Sequence, residues 1–351
     1  MQRVSMVVLA TLCLFAAPVF SQTQTKQPAT PQDSSASSSQ ASPNQSGAKK
    51  VVAESTTTTA RVPEARSLDG KPLFRFQPTG EQLAKLDADL ALAKEELAAE
   101  PNDPYKQIWV GRRLAYLWRY NDAVGVYSKA IQANSELPHL YRHRGHRYIT
   151  LRKFDLALND LTRASKLIEG QIDEIEQDGM PNAAGVPLTT LHSNIWYHLG
   201  LVQFLQGDFA SSDQSFKKCI AAAENDENRI AASDWRVMCL QRLGRKKEAD
   251  AILDTIAEGL ELRENHAYYQ RLLLYKGKLK PQDLIADQSS PNYSLDVATY
   301  GFGVANWYLC QGKTKDAKAL LESITEGEYW PAFGFIAAEV ELERMRKADS
   351  K

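Results

Sequence analysis

Cysteine is scarce in this chain, at positions 13, 219, 239 and 310 of 351 residues. No two cysteines are spaced as CxxC, so a thiol-oxidoreductase motif is absent. Net charge is scarce as well: 42 Lys and Arg face 43 Asp and Glu, for a formal charge of −1. No global basic field is available to hold nucleic acid or an anionic membrane. Long apolar runs are missing, because Val7–Phe20 is interrupted by Thr11 and Pro18 and is short for a comfortable membrane span. The chain contains no HExxH, no P-loop and no GxSxG, and no strand-rich region that could hold a dinucleotide fingerprint. No catalytic residue, metal ligand set or cofactor is expected from these patterns.

The first residues have an organisation of their own. Arg3 precedes the apolar stretch, and Val19 and Ser21 are small residues before a cut at Gln22. Residues 1–21 are therefore expected to be a secretory signal, with the product periplasmic or extracellular. Retention as an anchor stays open, whereas lipidation at Cys13 is disfavoured by the large Leu12 before it. Residues 22–66 are rich in Ser, Thr, Gln, Ala and Pro. Such a segment buries too little to offset its ordering entropy and reads as a disordered linker. After cleavage an odd set remains, Cys219, Cys239 and Cys310. They read as buried small hydrophobes, with a Cys219–Cys239 disulfide left open.

Beyond the linker the chain repeats. Gly111, Ala123, Tyr127 and Ala130 recur 34 residues later as Gly145, Ala157, Leu161 and Ala164. A fixed period of that length signals stacked helix–turn–helix units. A connector and an N-terminal capping helix are expected over 67–103, and the array itself over 104–348. Gly200, with Ser212 and Phe216, opens a third repeat 55 residues after Gly145, so 21 extra residues intervene. The insertion is placed at 169–190, and insertions in such arrays tend to gather on one face. Weaker pairs follow at 230–257, 264–287 and 304–324, and Trp330–Lys347 reads as a closing helix. Glycine inside a helix costs about 1 kcal/mol against alanine, so its recurrence calls for a close helix–helix approach.

These residues resemble the tetratricopeptide (TPR) family, whose pattern places Leu-Gly and an aromatic in the first helix and Ala-aromatic-Ala in the second. The resemblance covers about 103–325 and is strongest in three repeats. It implies an all-α, right-handed α-solenoid of antiparallel helix pairs. It further implies a non-enzymatic scaffold or adaptor that binds a protein or peptide in a concave groove lined by the first helix of each pair. Homo-oligomers fit the same architecture, and neither nucleic acid nor a membrane span is expected after cleavage.

The richest stretch on that inner wall is 138–151, PHLYRHRGHRYITL. His139, His143 and His146 lie at i, i+4 and i+7, on one helical face. Three imidazoles so placed admit a metal-dependent enzyme, although no carboxylate accompanies them in this helix. The favoured reading is a basic patch of Arg112, His139, Arg142 and His146, with Tyr105 and Tyr197 beside it, suited to a peptide carboxylate or an acidic partner segment. His146 stands where the family's carboxylate clamp would have Asn. An envelope-assembly protein that self-associates is the remaining alternative.

Overall fold

The computed structural model describes residues 62–350, apart from Gln77, Met180, Ala183 and residues 285–292, and leaves the side chains of 293–296 aside. The expected signal (1–21), nearly all of the linker and the end of the fifth pair at Asp287 lie outside the described residues. The boundary expected at 66 falls inside the folded body. Glu64 is buried, and the strands β1 (Ala65–Arg66) and β2 (Pro72–Leu73) pair as a small hairpin. The reason is polar: Glu64 accepts from the Asn121 backbone N–H at 2.7 Å and pairs with Arg75 at 2.5 Å.

After the hairpin the described regular elements are helices, and they pair with their neighbours in sequence, while the insertion between the second and third pairs is non-helical. The helix α1 (Gly80–Ala99) precedes the pairs α2 (Pro104–Tyr116) and α3 (Tyr120–Ala133), α4 (Pro138–Thr150) and α5 (Phe154–Leu167), and α6 (Leu191–Gln206) and α7 (Phe209–Ala222). Then come α8 (Asp226–Arg242) with α9 (Lys246–Thr255), α10 (His266–Tyr275) with the short α11 (Pro281–Leu284), and α12 (Tyr293–Cys310) with α13 (Thr314–Glu326). The last helix is α14 (Phe333–Asp349). The fold is an all-α solenoid of antiparallel helix pairs, as the spacing predicts.

The recurring glycines have a physical explanation. A Cβ on Gly111 would lie 2.3 Å from Tyr127 Cε1, one on Gly145 2.7 Å from Leu161 Cγ, and one on Gly200 2.9 Å from Phe216 Cδ2. The large side chain always comes sixteen residues after the glycine and fills the space that the glycine leaves. Ala123 and Ala157, twelve residues after their glycines, are fully buried. In the third pair Ser212 takes that place and donates its hydroxyl to the Gly200 carbonyl at 2.7 Å. In the fourth, Val237 replaces the glycine.

The closing helix does more than cover the end of the array. Every residue from Phe333 to Glu341 is buried. Arg344 of α14 donates to the carbonyls of Phe204 and Leu205 at the end of α6, and Glu341 pairs with Arg242 at the end of α8 at 3.1 Å. Glu339 pairs with Arg152, just beyond α4, at 2.9 Å, and both side chains are buried. Trp330 lies edge-on against Trp118 and Tyr120 and donates its indole N–H to the Phe74 carbonyl at 2.7 Å. The first and last parts of the folded body thus touch. Helix α14 lies against the C-terminal ends of the first helices of several pairs, which withdraws that edge of the inner wall from solvent. No described helix is long and apolar enough to cross a membrane.

Cys219 and Cys239 do not pair. Each is a buried free thiol, Cys219 against the Ser193 carbonyl at 3.3 Å and Cys239 against the Ser212 hydroxyl at 3.1 Å.

Candidate functional site

Helix α4 opens on Pro138, whose missing N–H costs nothing at a helix start. His139, Arg142, His143 and His146 follow on one face at helical spacing. The structure buries all four, with Arg142 at 0% exposure. The basic patch expected from the sequence lies largely under other parts of the chain. Arg112, His139, Arg142, His146 and Tyr197 are covered, and Tyr105, at 49%, remains exposed.

The cover over the wall is the chain's own insertion, a strap that meets the starts of α4, α6 and α8 and the end of α2. Ile175 bridges Thr190 in antiparallel fashion, with Glu176 N donating to Thr189 O and Leu191 N to Glu174 O, both at 2.9 Å. Asp173 accepts from the Thr190 hydroxyl at 2.7 Å and from His192 N at 3.0 Å, so the strap is anchored at the start of α6. Arg113 donates to Gly179 O at 2.8 Å, and Asn228 of α8 to Leu188 O at 2.7 Å.

Successive side chains of an extended segment point to opposite sides. Glu174, Glu176 and Asp178 share one parity and meet the wall in turn. Glu174 sits 2.9 Å from His139 Nε2. Glu176 sits 3.1 Å from Arg142 Nε and 3.2 Å from His143 Nε2, and accepts from Asn194 Nδ2 at 2.9 Å. Asp178, half-buried, lies in the field of Arg112 and Arg142. Burial would raise the Glu176 carboxyl, but Arg142, His143 and Arg112 overcome it and hold the group well below the usual carboxylate range. Burial, with Arg142 assisting, pushes His143 down to about 3, and burial first, then Arg147, lowers His146 well below its ordinary value. Near neutral pH the site is therefore an arginine–carboxylate contact flanked by neutral imidazoles.

The sequence-selected residues split into two groups. Tyr105, His139, Arg142 and Arg112 gather around the strap. Tyr105 meets His139 edge-on at 5.4 Å, and Arg112 stacks over Trp109 at 4.5 Å. His146 and Tyr197 lie deeper, against α14: His146 packs on His198 at 4.3 Å and on Phe333 at 5.3 Å. Tyr197 accepts from Trp235 Nε1 at 2.8 Å and bonds the Tyr268 hydroxyl at 3.0 Å, which makes it a core residue. The three histidines of the alternative metal reading do not converge, because each turns to a different partner. Among the described residues no group of three or more His, Cys, Asp or Glu is arranged to hold a metal ion. Sequence reasoning missed Glu174, Glu176 and Asp178, whose signal was the alternation of acids in 174-EIEQD-178.

Fold and site together define a helix-pair repeat protein whose inner wall is engaged by its own chain. No protein-family model matches the sequence, and no curated protein matches it. Similar solved structures include a MamA protein (17% identity over 56% of this chain and 87% of that one, TM-score 0.38). Another is YrrB, described as a TPR protein with an unusual peptide-binding site (14% identity, 71% and 97% coverage, TM-score 0.37). A third is the apo form of the quorum sensor NprR from B. thuringiensis (14% identity, 76% and 83% coverage, TM-score 0.30). The helix-pair stacking itself rests on the chain's own contacts described above.

Proposed function

We propose that the chain is a non-enzymatic scaffold or adaptor of the tetratricopeptide class, exported to the periplasm or the extracellular space, which binds a protein or peptide segment on its inner helix wall. The observation that carries this reading is the seat of Glu174 and Glu176 on His139, Arg142 and His143. That wall accepts an extended backbone with carboxylates on one side, which is the chemistry of an acidic partner segment. Arginine supplies charge and fixed donor geometry, and Tyr105 offers an exposed aromatic at the rim.

The test is titration of the full protein with extended acidic peptides and with their glutamine counterparts. Binding that requires the carboxylates, weakens with salt and drops in the rim variants Tyr105→Ala and His139→Gln supports the reading. Equal binding of acidic and amide peptides, or variants indistinguishable from the native chain, would reject it.

A further inference from the structure

The strap is attached in an unusual way for a segment that covers a buried wall. From Gln171 to Pro187 the buried residues, among those described, are Glu176, Gly179 and Asn182. No apolar side chain described in that stretch is buried. Its isoleucines face solvent instead, Ile172 at 95% exposure and Ile175 at 56%, and Val186 is exposed beside them. The strap is thus held by carboxylates, backbone hydrogen bonds and the contact of Gly179 with the Tyr116 ring, where an added Cβ would lie 2.0 Å from the hydroxyl oxygen.

Segments with few buried apolar contacts belong to the low-stability end of a fold and open before the rest. The wall beneath has the opposite character. Helix α4 is buried on nearly every side, and its neighbours α3, α5 and α6 pack directly on it. A removable cover therefore lies on a rigid receptor. The match is chemical as well, because three acids at alternate positions meet His139, then Arg142 with His143, then the field of Arg112 and Arg142.

We infer that residues 173–178 are an internal ligand: the strap occupies the wall until a partner segment with carboxylates at alternate positions displaces it. This inference rests on the proposed binding function and adds a partner chemistry and a form of regulation. A tethered segment competes at a high effective concentration, so an incoming peptide binds only in proportion to the open fraction. The exposed isoleucines place apolar surface next to the entry point, within reach of a partner that brings apolar residues of its own.

The probe is a free peptide of residues 171–187 added to the full protein, with a Glu174→Gln/Glu176→Gln version of the same peptide as control. The native protein should bind the acidic peptide weakly. Protein carrying Glu174→Gln and Glu176→Gln has a weakened internal ligand and should bind it at least tenfold more tightly, and the control peptide should bind neither. Gly179→Ala provides a second route, because it crowds the strap against Tyr116 without touching the acids, and the same gain is expected. Equal affinity of native and variant proteins overturns the internal ligand while leaving the acid-binding wall standing. Absence of binding to all of them overturns both.

Discussion

Replacing Gly334 by alanine isolates the role of α14. A Cβ at this position would lie 1.8 Å from the Ala298 carbonyl oxygen and 2.8 Å from its carbon. Ordinary contact begins near 3.4 Å, and the obstacle is the backbone of α12, which cannot rotate away as a side chain would. The two helices must separate by roughly 1.5 Å, enough to cost the facing side chains much of their dispersion contact. Overpacking of this kind costs about 1–3 kcal/mol and occasionally more. Alanine returns up to about 1 kcal/mol of helix propensity, less near a helix start. The net loss should be about 1–3 kcal/mol, or roughly 2–5 °C in the thermal midpoint for a body of this size. Gly125→Ala is the control. It lies in α3 with nothing within 4 Å of a built Cβ, so the propensity gain appears undiluted, at about 0.5–1 kcal/mol. Thermal melts followed by circular dichroism read both changes. A midpoint for Gly334→Ala equal to that of the native protein, or a loss for Gly125→Ala, would refute the assignment of α14 to a close contact with α12.

Four further outcomes follow from the same contacts. Gly145→Leu should lose about 1–3 kcal/mol against Leu161, read as a lowered denaturation midpoint. Arg152→Ala strands the buried Glu339 carboxylate and should lose about 3–5 kcal/mol, and a change below 1 kcal/mol in urea melts would contradict the buried pair. Acid should destabilise the fold: folded His143 titrates at about 3 against an ordinary 6.5, so the unfolded chain takes up a proton first as pH falls below 6.5. That single group removes about 1.4 kcal/mol per pH unit between 6.5 and 3, His146 and His198 act in the same direction, and urea melts at pH 7 and pH 5 measure the slope. In native protein a thiol reagent should modify Cys310 readily, whereas Cys219 and Cys239 should react only on unfolding, since burial has pushed the Cys239 thiol up to about 12 and raised Cys219 further.

The helix pairs were legible because their signal is local and periodic. A glycine and its filler sixteen residues later belong to one pair, and each position is dictated by its immediate partner. The inner wall was legible for a similar reason, since His139, Arg142, His143 and His146 follow from helical spacing alone. What covers the wall was not. The contact of Glu176 with Arg142 joins an irregular strap to a helix, and no period connects them. The contact of Glu339 with Arg152 spans 187 residues. Two traces existed: the alternating acids of 174–178, and the uncharged run Phe333–Ala338, apolar all round as in a buried helix. Both became informative only once the partner surface was known.

The touching of the folded body's first and last parts bears on how the protein comes apart. An open repeat array behaves as a one-dimensional chain of neighbours, able to fray from either end and to lose a unit without losing the rest. Here Trp330 holds the carbonyl of Phe74 and α14 reaches back to α4, α6 and α8, so each terminal unit carries contacts that belong to distant ones. Fraying is penalised at both ends, and the array should yield as one cooperative unit. Such distant pairings also raise the contact order, so folding should be slower than for an open array of equal length. The helices are those of an elastic solenoid, but their closure makes the body behave mechanically as a clasped ring.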